Sequence, residues 1–150
     1  MLYSLDIETT GLDSFTDKIL VVGVYSPSEG FKAFTVEQFK EWHCESNEYI
    51  LHNGGFDCIF LLRNGVDIRP SFAYDTRSIA SIAIPAPELG AGQKSHLSLE
   101  NLCTTWLGAS SWKLDRTRMS DYSADELAKY NEEDCRLTYL ISYLNTLQTN

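Results

Sequence analysis

The order of apolar and polar residues divides the chain into short strands near its start and helices after them. Runs that are rich in valine, isoleucine and aromatic residues and bounded by turn residues are typical of strands. Such runs predict strands within Leu2–Leu12, at Lys18–Tyr25, at Phe31–Thr35 and at Tyr49–Leu51. Because only turns separate the first three runs, these strands are expected to form an antiparallel meander.

Helical patterns occupy most of the rest of the chain. Capping residues or glycines mark the start or the end of most predicted helices. The shorter helices are predicted at Val36–His43 after Thr35, at Phe56–Asn64, at Thr76–Ala83 after Asp75, and from Ser98 to Trp106 before Gly108. Segment 85–95, rich in proline and glycine, is expected to be a mobile loop, and segment 109–122 is expected to be irregular.

The last helix carries the clearest pattern in the chain. It begins at a capping box formed by Ser123 and Glu126, and a single apolar stripe follows. The members of this stripe are Leu127, Tyr130, Leu137, Ile141 and Leu144. Asp134 falls on the same stripe, where burying an unpaired carboxylate would be costly.

The order of these elements predicts the fold class. Strands first and helices interleaved afterwards indicate an α/β fold, a mixed β-sheet flanked by helices. At 150 residues the chain fits one domain, residues 1–150.

Composition narrows the class of protein. The sequence is 43% hydrophobic, which is enough for a substantial core. A soluble cytoplasmic protein is expected, because no stretch approaches the roughly 18 apolar residues that a membrane span needs. Four cysteines without a CxxC pair indicate reduced, mostly buried thiols. The net charge of −9 argues against a nucleic-acid partner unless bound cations offset the acidic groups.

Asp6 and Glu8 form an acidic pair at the end of the first predicted strand. Residues two apart in a strand point to the same face, so the two carboxylates can bind one hard divalent cation. A solvated pair at a strand end is the ordinary alternative for so short a motif.

Two other predicted elements carry acids that can complete such a site. Asp134 lies one helical turn from Tyr130, and a buried hydrogen bond between the two is the structural alternative. Asp57 follows Asn53 at a strand-to-helix junction, where a helix cap and a first-turn acid are the ordinary roles. Four acids on three elements can converge at one edge of a sheet and hold two ions, an arrangement that hydrolyses phosphodiesters.

Three motifs in this order give the chain a resemblance to a known family. DIETTGL, HNGGFD and YNEED resemble the D-x-E, N-x-x-F-D and Y-x-x-x-D motifs of the DEDD superfamily of 3'-5' exonucleases, in its tyrosine-bearing branch. In particular, the chain resembles the proofreading exonuclease domain of family A DNA polymerases. The segment SLENLCTTWLG also looks like that family's helix before the third motif. The resemblance implies a ribonuclease H-like fold and a single 3'-5' exonuclease domain over residues 1–150.

Carried over to this sequence, the resemblance implies a site for two divalent ions, Mg²⁺ or Mn²⁺. Asp6, Glu8 and Asp134 would hold the ion that activates water. Asp6 would also bind the second ion. Asp57 would act on the side of that second ion, through the ion's coordination shell. Tyr130, with Glu8, would orient the attacking water, since a phenol near neutral pH is better suited to hydrogen bonding than to acting as a base.

The resemblance also implies contacts with the substrate. Thr9 and Leu12 would touch the 3'-terminal nucleotide, Leu12 by packing against its base. Asn53 would lie near the scissile phosphate. Phe56, which belongs to the same motif, is also predicted to contact the substrate. Outside the motifs, Trp112 is a candidate for stacking a base.

Several cations flank the predicted site in sequence and are candidates for phosphate contacts. They are Lys94, Lys113, Arg116 and Arg118, with Lys113 placed in the substrate-binding set. Solvated loop charge is the ordinary alternative for such residues.

The function expected from the sequence is removal of nucleotides from the 3' end of single-stranded DNA. An exoribonuclease is the alternative, because sugar discrimination depends on contacts to the 2'-hydroxyl that the motifs do not locate. A catalytically silent interaction module of the same fold is the second alternative. In family A polymerases a polymerase follows this domain, so a free-standing exonuclease or a subunit beside a separate DNA polymerase is expected here.

Overall fold

Five strands and five α-helices make up the part of the chain that the computed structural model describes, residues 1–83, 97–110, 112 and 114–149. The strands are β1 (Leu2–Thr9), β2 (Ile19–Ser26), β3 (Gly30–Phe34), β4 (Glu48–Leu51) and β5 (Phe72–Asp75). The helices are α1 (Val36–Trp42), α2 (Gly55–Arg63), α3 (Thr76–Ala83), α4 (Leu99–Leu107) and α5 (Ala124–Thr149). Short 3-10 helices span Arg69–Ser71 and Arg116–Asp121.

The strands form one mixed sheet in the order β3-β2-β1-β4-β5. β1 pairs antiparallel with β2, and β2 pairs antiparallel with β3. On the other side, β1 is parallel to β4, and β4 is parallel to β5. The predicted meander and the predicted mixed sheet are both confirmed. Because β1, β4 and β5 run in the same direction, their carboxyl ends lie along one edge of the sheet.

The alternation of side chains along β1 separates a core face from a face that meets the last helix. Tyr3, Leu5 and Ile7 are buried in the main hydrophobic cluster, together with residues of α1 and α2. The even-numbered side chains face α5, where the Ser4 hydroxyl donates a hydrogen bond of 2.6 Å to the Cys135 carbonyl. Asp6 and Glu8 therefore face the helix that carries the third sequence motif.

The ends of α1, α3 and α4 agree with the predicted caps. Thr35 and Gln38 form a capping box at the start of α1, and the Ser98 hydroxyl accepts the Asn101 N–H at the start of α4. The carboxylate of Asp75 accepts the N–H groups of the first turn of α3. Gly108 ends α4 in a left-handed conformation with φ 64°, which glycine adopts without strain.

The structure differs from the sequence analysis at three places. β5 was not predicted, because it is a four-residue strand at the edge of the sheet and its burial does not alternate. The segment 109–122 is not irregular throughout, since Asp115 caps the 3-10 helix Arg116–Asp121. Asn53 is not the cap of α2; Gly54 takes that position, and Asn53 has a positive φ of 60°. The predicted loop at 85–95, including Lys94, lies outside the described residues.

The described helices and the cysteines agree with the composition. No helix among the described residues combines the length and the apolar character that a membrane crossing requires. All four cysteines are free thiols. Cys103 and Cys135 are buried as expected, whereas Cys58 is half-buried and Cys44 is exposed.

Candidate active site

Three carboxylates from two distant parts of the sequence meet at the carboxyl end of β1. Carboxylate oxygens of Asp6, Glu8 and Asp134 all lie within 4.8 Å of one another. Glu8 is 8% exposed and Asp134 is 4% exposed, so both carboxylates are shielded from water. Asp134 lies on the buried face of α5 between Tyr130 and Leu137, as the apolar stripe predicted.

This cluster fits a hard divalent cation. Like charges at such short separations repel one another, and buried carboxylates are costly unless they are paired or coordinate a metal. Oxygen ligands about 2.1 Å from one Mg²⁺ ion lie about 3 to 4 Å from each other. The limit of 4.8 Å on the separations in the cluster is close to this range. The donor set consists of carboxylate oxygens, the ligand type that Mg²⁺ and Mn²⁺ prefer.

Asp57 approaches the cluster from the first turn of α2. The pairing of β1 with β4 ends at Ser4 and Ile50, so the Ile7 N–H lies beyond the shared ladder on that side. Asp57 Oδ1 accepts a hydrogen bond of 3.0 Å from this N–H. Burial and the nearby charge of Asp6 raise the pKa of the Asp57 carboxyl well above its usual range. The gap between the two strands thus admits a fourth carboxylate beside Asp6.

Asn131 is a site residue that the sequence analysis missed. Its side-chain N–H donates to the Asp6 carbonyl at 3.1 Å and to Asp6 Oδ2 at 3.2 Å. Gly23 of β2 makes room for this amide, because a Cβ at that position would lie 1.6 Å from Asn131 Oδ1. Two features of the sequence pointed to this contact: Asn131 falls one turn after Leu127 on the buried face, and an isolated glycine interrupts an apolar strand.

Tyr130 and Trp112 border the cluster on the side of α5. Tyr130 is 5% exposed and packs with Met119 and Leu127, with Trp112 against them. The indole N–H of Trp112 donates a hydrogen bond of 2.8 Å to Asp134 Oδ1. Trp112, singled out in the sequence as a stacking residue, is therefore in direct contact with one of the clustered carboxylates.

The other predicted substrate contacts have different surroundings. Leu12 is 79% exposed in the loop after β1. The Thr9 hydroxyl donates to the Gly11 carbonyl at 2.6 Å and helps to close that loop. Phe56 is half-buried, with its ring 4.8 Å from that of Phe60 and packed against the main core. Lys113 lies outside the described residues, and Arg118 forms an exposed ion pair with Asp121.

Asn53 lies at the turn between β4 and α2. Its side-chain oxygen accepts a hydrogen bond of 3.2 Å from the guanidinium of Arg77. The N–H groups of Asn53 and Gly54 donate to the Asp75 carboxylate at 3.0 and 2.6 Å. Asp75 thus joins this turn to the start of α3. Sequence spacing gave no indication of this contact, since only the pairing of β4 with the unpredicted β5 brings the two segments together.

Comparisons with known proteins identify similar structures but no similar sequences. Neither known protein families nor curated proteins give a match. The structure of Brucella melitensis NrnC with bound Mg²⁺ matches with a TM-score of 0.72 and 17% identity, over 98% of this chain and 72% of that chain. NrnC bound to pGG matches with the same values.

A second protein also shares this architecture. Escherichia coli RNase D, an exoribonuclease involved in structured RNA processing, matches with a TM-score of 0.66 and 12% identity, over 99% of this chain and 39% of that chain. At these identities the likeness concerns the fold alone. The five-stranded mixed sheet with its flanking helices is a ribonuclease H-like fold, as the resemblance of the motifs implied.

Proposed function

We propose that the chain is a metal-dependent 3'-5' exonuclease and that RNA is its preferred polymer. The observation that carries this proposal is the convergence of the Asp6, Glu8 and Asp134 carboxylates within 4.8 Å at the carboxyl end of β1. Buried Asp57 lies beside Asp6 and brings the number of acids to four. Clusters of this kind hold the divalent ions that assist in-line displacement at phosphorus.

The descriptions of the similar structures support the cofactor and the polymer. One structure contains Mg²⁺, another contains pGG, and RNase D is an exoribonuclease. These descriptions favour the exoribonuclease alternative over the exodeoxyribonuclease expected from the motifs. The DNA substrate, a proofreading role and a separate polymerase partner rest on the motif resemblance alone.

In this proposal the acids divide their roles by position. Asp6, Glu8 and Asp134 would hold one ion, and Asp6 with Asp57 would serve a second. Bound Mg²⁺ or Mn²⁺ would supply the activation of water and the stabilisation of the departing oxygen. The Ile7 N–H holds the Asp57 carboxylate in a fixed orientation, so that the fourth acid is positioned before any ion binds.

Tyr130 and Leu12 act on the water and on the terminal nucleotide. Tyr130 is one helical turn from Asp134, and a phenol hydroxyl can both donate and accept a hydrogen bond. It is therefore assigned to orient the attacking water through a hydrogen bond, together with Glu8. Leu12, largely exposed beside β1, is assigned to pack against the base of the 3'-terminal nucleotide. Thr9, Asn53, Phe56, Trp112 and Lys113 remain proposed substrate contacts.

The proposal is tested by digestion of two 5'-labelled single strands, RNA and DNA of the same base sequence. With Mg²⁺ or Mn²⁺ the RNA is expected to give a ladder that shortens from its 3' end, and the DNA is expected to shorten more slowly. EDTA should abolish both ladders. A chain that leaves both strands intact in the presence of the ions would be a silent module and not an exonuclease. Faster digestion of DNA would overturn the preference for RNA but not the exonuclease assignment.

A further inference from the structure

A polar pocket lies at the carboxyl ends of β4 and β5, next to the turn that leads to Asp57. Its volume is about 220 Å³, and it is lined by Asn53, Asp75, Arg77, Ser78, Ser81 and Leu97. The three parallel strands end at the same edge of the sheet, so this pocket lies on the same edge as the clustered carboxylates. β5 is two strands away from β1, a lateral distance of about 10 Å. This distance exceeds a single nucleotide step in an extended strand by a few ångströms, a difference that an arginine side chain is long enough to span.

The turn at the pocket is held in place by a single carboxylate. Asp75 accepts hydrogen bonds from the backbone N–H groups of Asn53 and Gly54 on one side. It accepts the N–H groups of Arg77, at 2.9 Å, and Ser78, at 3.3 Å, on the other side. The Asp75 charge is thus directed at four backbone donors, two of them in the first turn of α3. With these four donors engaged, an anion in this pocket relies mainly on side chains.

Arg77 is the one cation among the described residues that line the pocket. Its guanidinium donates to Asn53 Oδ1 at 3.2 Å. Asn53 has a positive φ of 60°, a conformation that is uncommon outside glycine and tends to persist at functional sites. A guanidinium carries five N–H donors in a planar fork, which matches the oxygens of a phosphate group. The bond to Asn53 fixes the orientation of this fork relative to the turn before Asp57.

The negative charge around the pocket gives a cation at this position a role in binding the substrate's phosphates. The chain has a net charge of −9, and four carboxylates line the neighbouring part of the edge. The phosphates of a strand that approaches this edge are repelled by both. A cation at this distance from the cluster offsets this repulsion at the phosphate that is not being cleaved.

We propose that Arg77, oriented by Asn53, binds the phosphate on the 5' side of the scissile phosphate. This inference rests on the proposed exonuclease function and adds to it a specificity-determining residue and a second phosphate subsite. The scissile phosphate meets the carboxylate cluster, and the adjacent phosphate reaches the pocket at β5. Arg77 then favours substrates in which a second charged phosphate lies on the 5' side of the scissile phosphate.

The test combines a variant with a modified substrate. The substrate is an oligonucleotide in which only the adjacent phosphate is replaced by an uncharged methylphosphonate, and the reference is the same strand with the phosphate. For the unaltered protein the replacement should lower kcat/KM about 10- to 100-fold, as expected for the loss of a charge-assisted contact. In Arg77→Ala the all-phosphate strand should show a KM raised by a similar factor with kcat nearly unchanged. In this variant, replacing the adjacent phosphate by a methylphosphonate should lower kcat/KM almost no further.

Two control variants separate this role from a structural one. Arg77→Lys keeps the charge without the fork and should recover part of the lost affinity. Arg69→Ala removes an arginine that is paired with Asp67 before β5, at the opposite end of that strand, and should leave KM unchanged.

The possible results have separate meanings. If the methylphosphonate penalty is the same in Arg77→Ala as in the unaltered protein, the subsite is not at Arg77 and the proposal fails. A fall in kcat with a lowered melting temperature and an unchanged penalty would assign Arg77 only to the shape of the Asn53 turn, which also overturns the proposal. If the unaltered protein cleaves neither strand, the proposed function itself fails.

Discussion

Individual hydrogen-bond donors decide which carboxylate oxygens the candidate site offers to a cation. The Trp112 indole donates to Asp134 Oδ1, and the Asn131 amide donates to Asp6 Oδ2. Donors of this kind orient metal ligands, and their loss typically costs about 10- to 100-fold in metal affinity. Trp112 lies outside the motifs and Asn131 occupies an unspecified position of the third motif, so their contribution could not be inferred from motif spacing.

Replacing Trp112 by phenylalanine tests this orientation. Trp112→Phe keeps an aromatic ring against Tyr130 but removes the N–H that holds Asp134. We expect Mg²⁺ to bind about 10-fold more weakly, measured by isothermal titration calorimetry. Trp106→Phe is the matched control, because Trp106 packs against the cluster around Leu102 and Ile141, which Trp112 also contacts, and is not among the described residues that pack with Tyr130. Equal Mg²⁺ affinity in Trp112→Phe and in the unaltered protein would show that the indole only fills space.

Replacing Asp57 by asparagine separates stability from metal binding. The carboxyl is buried beside Asp6, which raises its pKa, so its charged form destabilises the metal-free protein. Asn keeps an oxygen for the Ile7 N–H and carries no charge. At pH 8 in EDTA we expect Asp57→Asn to be more stable to unfolding by on the order of 1 kcal/mol. The rise in melting temperature on adding Mg²⁺ should be smaller than in the unaltered protein. A metal-free variant that melts at a lower temperature would contradict the repulsion.

At the scale of elements, the contact between α5 and the sheet creates the site. Asn131, Asp134 and Cys135 all face β1 from one side of this helix, and Asn131 needs the space that Gly23 leaves in β2. The helix and its buried stripe were predictable because capping and period are local properties of the sequence. The strand β5 was not predictable, because a short edge strand depends on pairing with its neighbour and shows little pattern in its own sequence.

Gly23→Ala tests this docking contact. The added methyl group would overlap the Asn131 side chain, and moving that side chain breaks its bonds to Asp6. We expect a loss of about 1 to 3 kcal/mol in unfolding free energy. This corresponds to a melting temperature lower by roughly 2 to 4 °C for each kcal/mol.

The control for this variant is Gly55→Ala. A Cβ at Gly55, the first residue of α2, would meet nothing within 4 Å. Its stability should be unchanged or slightly higher, since alanine is favoured over glycine in a helix. If both variants melt at the same temperature, Gly23 is not required for the docking of α5.

At the scale of the whole molecule, the fold reconciles the acidity of the chain with the proposed polyanionic substrate. Acids separated by more than 120 residues meet at one edge of the sheet, so the negative charge at this edge attracts cations before it meets phosphate. The sequence located Asp6, Glu8, Asp57 and Asp134 because each belongs to a motif. It did not locate the pocket at Arg77, whose geometry depends on the pairing of β4 with β5.

The central claim is that the clustered carboxylates hold the ions that cleave the phosphodiester bond, and single-turnover hydrolysis of the labelled RNA tests it most directly. The rate is measured at saturating Mg²⁺ for the unaltered protein, for Asp134→Asn, and for Glu132→Gln as an exposed neighbour on the same helix. We expect Asp134→Asn to be at least about 100-fold slower, while Glu132→Gln stays within about 2-fold. An Asp134→Asn protein that cleaves at the rate of the unaltered protein would contradict the claim.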